Sequence, residues 1–111
     1  MKTQLTKEQV DKLIELNVPE EKLFVDIPHR ADYDTPNVID LLEILPKEIK
    51  DERLCIGAAF LNFYALGEVW VASYEFLSFD SEFMSRESQE LIDSLYELLL
   101  WTIESGYLKF E

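Results

Sequence analysis

Cysteine, glycine and histidine are scarce in this chain of 111 residues. The single cysteine, Cys55, excludes an internal disulfide and a cysteine-based zinc site. It sits in an apolar run and reads as a small buried hydrophobe rather than a nucleophile. The three glycines, Gly57, Gly67 and Gly106, are too widely spaced to cradle a phosphate. With one histidine, any Ser/His/Asp arrangement has only His29 to use, and no Gly-x-Ser-x-Gly elbow is present. Basic residues are also few: ten Lys and Arg stand against 23 Asp and Glu, for a net charge of −13. Such a field repels phosphates, so direct nucleic-acid binding is disfavoured. No long hydrophobic run exists. The uncharged part of the most apolar stretch, Leu54 to Leu66, is 13 residues, where a membrane span needs about 18 or more. No membrane association is expected. The N-terminal MKTQLTKEQVDK lacks an apolar signal core, which points to the cytoplasm.

What is present is a core. Hydrophobic residues make up 48% of the chain, so a folded domain over residues 1–111 is expected rather than disorder. The chain is organised around Arg53 to Phe79, where two runs of aromatic and β-branched residues flank Gly67. This is the signature of an antiparallel hairpin. Trp70, Ala72, Tyr74 and Phe76 share one face, assigned to the core, and Val69, Val71 and Ser73 share the other. In the first run, Leu54, Ile56, Ala58 and Phe60 alternate with Cys55, Gly57, Ala59 and Leu61. Both faces are apolar, so this strand is expected to be covered on both sides or to lie mid-sheet. The turn falls at Asn62–Tyr64 or at Leu66–Glu68; Ala65-Leu66-Gly67-Glu68 is preferred because glycine supplies a positive φ. A two-stranded ribbon is marginal alone, so helices must cover it.

Helix signals flank the hairpin. Thr6 and Gln9 form a capping box, and Leu5 and Val10 a hydrophobic staple, opening a helix with an apolar stripe at Val10, Leu13 and Ile14. Asn17 suits its C-terminal end, with Pro19 beyond. Lys22 to Ile27 is a candidate strand or extended arm. Thr35-Pro36 is expected to start a second helix as N-cap and N1, with Val38, Leu41, Leu42 and Leu45 on one face and Pro46 at its end. Lys47 to Arg53 reads as a charged connector, and Ser78 to Glu82 as polar punctuation. A last helix is expected from about Ser85 to Ser105, with Gly106 at a left-handed C-terminal position. The fold class is therefore α+β, a small antiparallel sheet covered by helices, in the order α-(β)-α-β-β-α.

The loop Pro28 to Thr35 holds His29 beside Arg30, Asp32 and Asp34. A histidine near carboxylates suits general-base or metal chemistry, and His29 with Asp32 or Asp34 is the one enzymatic option. The spacing defines no site. An EF-hand start at Asp32 fails because Pro36 and Asn37 stand where an oxygen ligand and a glycine are required. The loop is read as solvated, with no catalytic, metal or cofactor residues assigned.

The acids gather at the ends. Residues 1–53 carry 13 acids and eight bases, and residues 75–111 carry nine acids and two bases. On the last helix, Leu91, Ile92, Leu95, Tyr96, Leu98, Leu99 and Ile103 spread over an apolar arc, and Glu90, Asp93, Glu97 and Glu104 cluster opposite. Trp101 falls among these acids, where an uncovered ring would suit an anchor for a partner. The core positions Leu45-Pro46, Leu54-Cys55-Ile56, Trp70-Val71-Ala72-Ser73-Tyr74, Leu98 to Trp101 and Gly106 give the chain a further likeness. Over about residues 38–107 it resembles small uncharacterised proteins of phage and prophage genomes of gut-type bacteria. That resemblance implies an accessory protein of a mobile element and no activity. The expected function is a non-catalytic acidic module that binds a protein with a basic surface, such as the groove of a host nucleic-acid enzyme, through Trp101, Glu90, Asp93, Glu97 and Glu104. The alternative is a structural homo-oligomer.

Overall fold

The computed structural model describes residues 2–23, 35–50, 58–76 and 81–110. Cys55 and the His29, Asp32 and Asp34 loop lie outside the described residues, as does the Leu54–Gly57 part of the first hairpin run. Elements follow in the order α1 (Lys7–Glu15), α2 (Glu20–Leu23), α3 (Val38–Ile44), β1 (Glu48–Ile49), β2 (Ala59–Leu66), β3 (Val69–Phe76), β4 (Ser81–Ser88) and α4 (Leu91–Glu104). The fold is α+β. One antiparallel sheet has the spatial order β1-β2-β3-β4.

The hairpin forms where the glycine signal places it. Leu66 pairs with Val69, leaving Gly67 and Glu68 as the two-residue loop. Gly67 has φ +65 and Glu68 does not have a positive φ, the pattern of a type II′ turn with glycine first. In β3, Ala72, Tyr74 and Phe76 are buried against the core, and the buried Tyr74 hydroxyl donates to the Pro46 carbonyl at 2.8 Å. The strand is central, so its other face is also shielded: Val71 and Ser73 are buried. The Ser73 hydroxyl and the Asn62 amide both donate to one Glu75 carboxylate oxygen, at 2.7 and 2.6 Å. The described part of the first run lies mid-sheet, between β1 and β3, with Ala58, Phe60 and Leu61 half-buried; the cover ends further along β2. Ala59 is buried, but Asn62, Phe63, Ala65 and Leu66 are exposed.

Helix α4 packs on β3 and β4, with α3 behind it, and the core fills the space between. Ile92, Leu95, Leu98 and Leu99 of α4 are fully buried with Leu13 of α1, Leu23 of α2 and Leu41 of α3. Ser94 and Thr102 sit among them because each hydroxyl donates to a carbonyl three residues back, Leu91 and Leu99, at 2.7 Å. Helix α1 starts at the expected capping box: Gln9 N–H to Thr6 Oγ1 is 3.2 Å and Thr6 N–H to Gln9 Oε1 is 2.9 Å. Leu5 and Val10, the two staple residues, are both buried. It ends in a Schellman motif. Asn17 takes φ +70, with Asn17 N–H to the Ile14 carbonyl at 2.9 Å and Val18 N–H to the Leu13 carbonyl at 3.1 Å.

Four expectations need correction. Lys22 and Leu23 are the end of α2, not a strand; the remaining residues of that segment lie outside the described residues. Helix α3 is capped by Asn37, not Thr35. Asn37 and Asp40 make a reciprocal box at 2.9 and 3.0 Å, and the Thr35 hydroxyl instead donates to the Leu5 carbonyl. The connector after Pro46 contains β1, whose Ile49 is buried opposite Ala59. The largest correction is β4. Ser81–Ser88 is a strand paired with β3, so the last helix starts at Leu91 rather than near Ser85. Its C-terminus agrees with the sequence: Gly106 has φ +86, and its N–H bonds the Ile103 carbonyl at 3.1 Å.

Candidate functional site

The face of α4 that carries Asp93, Glu97, Trp101 and Glu104 looks across β4, and that strand decides what each residue does. A β-bulge lies opposite Tyr74 and Glu75 and leaves Phe83 as the extra residue. Phe83 and Met84, adjacent in sequence, therefore both pack on the core. The Trp101 ring is half-buried in this aromatic group. Ring centroids lie 5.7 Å from Phe83, 6.1 Å from Tyr74 and 5.4 Å from Tyr107. Trp101 is not an uncovered ring on an acidic surface; strand β4 and the Tyr107 tail supply its cover.

The four carboxylates divide. Glu90 is the N-cap residue of α4 but makes no side-chain cap; its Oε2 accepts the Lys2 backbone N–H at 2.9 Å. Asp93 Oδ1 accepts from Lys2 Nζ at 2.6 Å and from Gln9 Nε2 at 3.0 Å. Gln9 Oε1 also takes Lys2 Nζ at 3.0 Å. These bonds tie the N-terminal arm and the first turn of α1 to the first turn of α4. Burial pushes the Asp93 carboxyl upward, but the Lys2 and Gln9 hydrogen bonds and the Lys2 charge outweigh it, and the net shift is downward. Asp93 is thus an ionised structural group. Glu97 and Glu104 are exposed and stand about 10 Å apart along the helix axis. They also act at a distance on Tyr96: burial first, then the charges of Glu97 and Glu104, raise its phenol.

Between α1, the end of β4 and the start of α4 lies a cleft of about 550 Å³, lined by Lys2, Thr6, Gln9, Arg86, Glu87, Ser88, Asp93 and Glu97. Arg86 Nη1 donates to the Ser85 carbonyl at 2.9 Å and lies 2.8 Å from the Met84 sulfur. The cleft is mixed in sign, and Lys2, Gln9 and Asp93 are engaged in holding α1 to α4. Among the described residues, no group of three or more His, Cys, Asp or Glu side chains is placed to hold a metal ion. No described helix is long and apolar enough to cross a membrane.

One surface feature was missed at the level of sequence. Strand β1 pairs with only Ala59 and Phe60, and Leu61 N–H reaches the Lys47 carbonyl at 2.9 Å. Beyond that point the edge of β2 is open among the described residues, and it bears Phe63 at 41% and Leu66 at 60% exposure. The apolar alternation of AFLNFYAL announced a strand, but only the shortness of β1 makes it an edge. Comparison with protein-family models, curated proteins and solved structures gives no match to this chain.

Proposed function

We propose that this chain is a non-catalytic acidic module that binds a protein partner carrying a basic surface. The observation that carries this reading is the distribution of its −13 charge. Glu8, Asp11, Glu15, Glu20, Glu21, Glu43, Glu97 and Glu104, spread over α1, α2, α3 and α4, are exposed. Lys7, Lys12 and Lys22 are exposed beside them, but the net excess of negative charge speeds encounter with a basic partner and selects against acidic ones. With the resemblance to phage and prophage proteins, the specific form of this reading is an inhibitor that fills the basic groove of a host nucleic-acid enzyme.

Immobilised protein exposed to bacterial lysate tests it. The expected result is a retained basic-grooved protein that is released by DNA and by salt above roughly 0.5 M, where the Debye length drops to about 4 Å. The Glu97→Lys/Glu104→Lys variant, altered at the two exposed acids of α4, should retain less. Equal retention by the variant, with no effect of salt or DNA, would remove the electrostatic basis of the reading. A second reading, self-association, is favoured by the edge of β2 that is open among the described residues.

A further inference from the structure

We infer that β2 pairs with β2 of a second copy, antiparallel about a two-fold axis at Tyr64, to join two four-stranded sheets into one. This rests on the self-association reading and is independent of the basic-partner reading. The backbone groups of β2 divide between two edges. Leu66 and Val69 close a two-residue hairpin, so Leu66, Tyr64, Asn62 and Phe60 direct their N–H and C=O groups to β3. Leu61, Phe63 and Ala65 direct theirs to the other edge, as the Leu61 N–H to Lys47 carbonyl bond shows. At Leu61 that edge is occupied. At Phe63 and Ala65 no described strand lies beside it.

The open segment, Asn62 to Leu66, is bounded on one side by β1 and on the other by the Gly67 turn. That fixes the register. With Tyr64 opposite Tyr64, Phe63 and Ala65 of one copy exchange both backbone bonds with Ala65 and Phe63 of the other, and every free edge group is used. A register centred on Phe63 would place Ala65 opposite Leu61, whose N–H already bonds the Lys47 carbonyl. One centred on Ala65 would place Phe63 opposite the turn glycine. Only the Tyr64-centred pairing fits the space.

Three further observations favour a second copy as the occupant. Phe63 and Leu66 are two of the four large exposed hydrophobics among the described residues, and both lie on this segment, where pairing covers them. Natural edges are usually blunted by charge or proline. The other sheet edge, β4, reads SEFMSRES and carries Glu82, Arg86 and Glu87, whereas Ala59–Leu66 has neither charge nor proline. In a molecule of net −13, an uncharged strand edge is also where two like-charged copies approach with least repulsion.

Sedimentation of the full chain from micromolar to near-millimolar concentration tests the pairing. The expected result is a reversible species of twice the 13.0 kDa chain mass. Phe63→Lys sets a charge beside the pairing edge and Ala65→Pro removes an edge-facing N–H, and neither backbone position bonds β3; each should weaken dimerisation by about ten-fold or more while far-UV circular dichroism stays native. In a Cys55→Ser background, Tyr64→Cys should oxidise to a covalent dimer, because directly opposed non-hydrogen-bonded residues have Cα atoms about 4.5 Å apart, within disulfide range. Glu87→Cys, on the opposite edge, should not. A chain that stays monomeric at all concentrations overturns the inference. So does a dimer that tolerates both edge variants, or one that cross-links through Glu87→Cys and not Tyr64→Cys.

Discussion

At the scale of single residues, Trp101 shows how a side chain's role depends on what lies across from it. On the helix wheel its neighbours are Glu97 and Glu104, which suggests an exposed anchor. In the fold its ring lies within 5.4 to 6.1 Å of Tyr107, Phe83 and Tyr74. Its burial energy is therefore spent within the chain. Trp101→Ala is expected to lower stability by about 2–3 kcal/mol, less than the 3–5 typical of a fully buried aromatic because the ring is half-covered. Urea unfolding measures this, and light scattering should show the mass unchanged. A loss of association without a loss of stability would return Trp101 to the surface role. Asp93 gives a second residue-scale test. Its carboxyl is held below the usual range, so its contribution is present above the ordinary aspartate pKa and is lost as pH falls through the lowered value. Its side chain is 27% exposed, which limits the pair with Lys2 to roughly 1 kcal/mol or less. The stability gap between wild type and Asp93→Asn should therefore be visible at pH 7 and shrink as pH falls below the ordinary aspartate value of about 4. A gap of constant size across that range would mean the charge of Asp93 does not matter.

At the scale of elements, the ends of α1 carry the clearest information. Asn17 holds φ +70, a conformation that asparagine tolerates and most residues do not. Asn17→Ala should cost about 1–2 kcal/mol, and Asn17→Gly should cost nothing or stabilise slightly. Equal urea midpoints for the two variants would show that the Schellman turn is not under conformational strain. Helix α1 and the β2–β3 hairpin were legible because their signals are local: Thr6 with Gln9, Leu5 with Val10, and Gly67 between two strand-forming runs. Strand β4 was not legible. In SEFMSRES only Phe83 and Met84 are apolar, and the bulge makes them neighbours rather than alternate positions. The period-two pattern is thereby erased, and the segment reads as punctuation followed by helix. That single omission hid the cover over Trp101. The start of α3 failed for a subtler reason. Thr35-Pro36 and Asn37 both offer caps, and Asp40 at the third helical position completes the reciprocal pair only with Asn37. The fates of Glu90 and Asp93 were beyond local reading altogether, because their partners Lys2 and Gln9 lie more than 80 positions away in the chain.

At the scale of the whole molecule, charge separates the two proposed modes of association. Each copy carries −13, so two copies repel one another at long range, and the strand edge proposed to pair them is uncharged. Salt screens the repulsion with a Debye length near 10 Å at 0.1 M and about 3 Å at 1 M, and it leaves backbone hydrogen bonds and apolar contacts almost untouched. Self-pairing through β2 should therefore tighten as salt rises. A complex with a basic protein must behave in the opposite way, since its attraction is the quantity being screened. Folding follows the first sign: the compact state concentrates like charge, so the urea midpoint should rise with sodium chloride. Measuring the dimer dissociation constant and the urea midpoint over roughly 0.05 to 0.5 M salt puts these expectations side by side. A dimer that weakens as salt is added would mean that ionic contacts hold it, and the charge-free edge of β2 would not be the surface that joins the two copies.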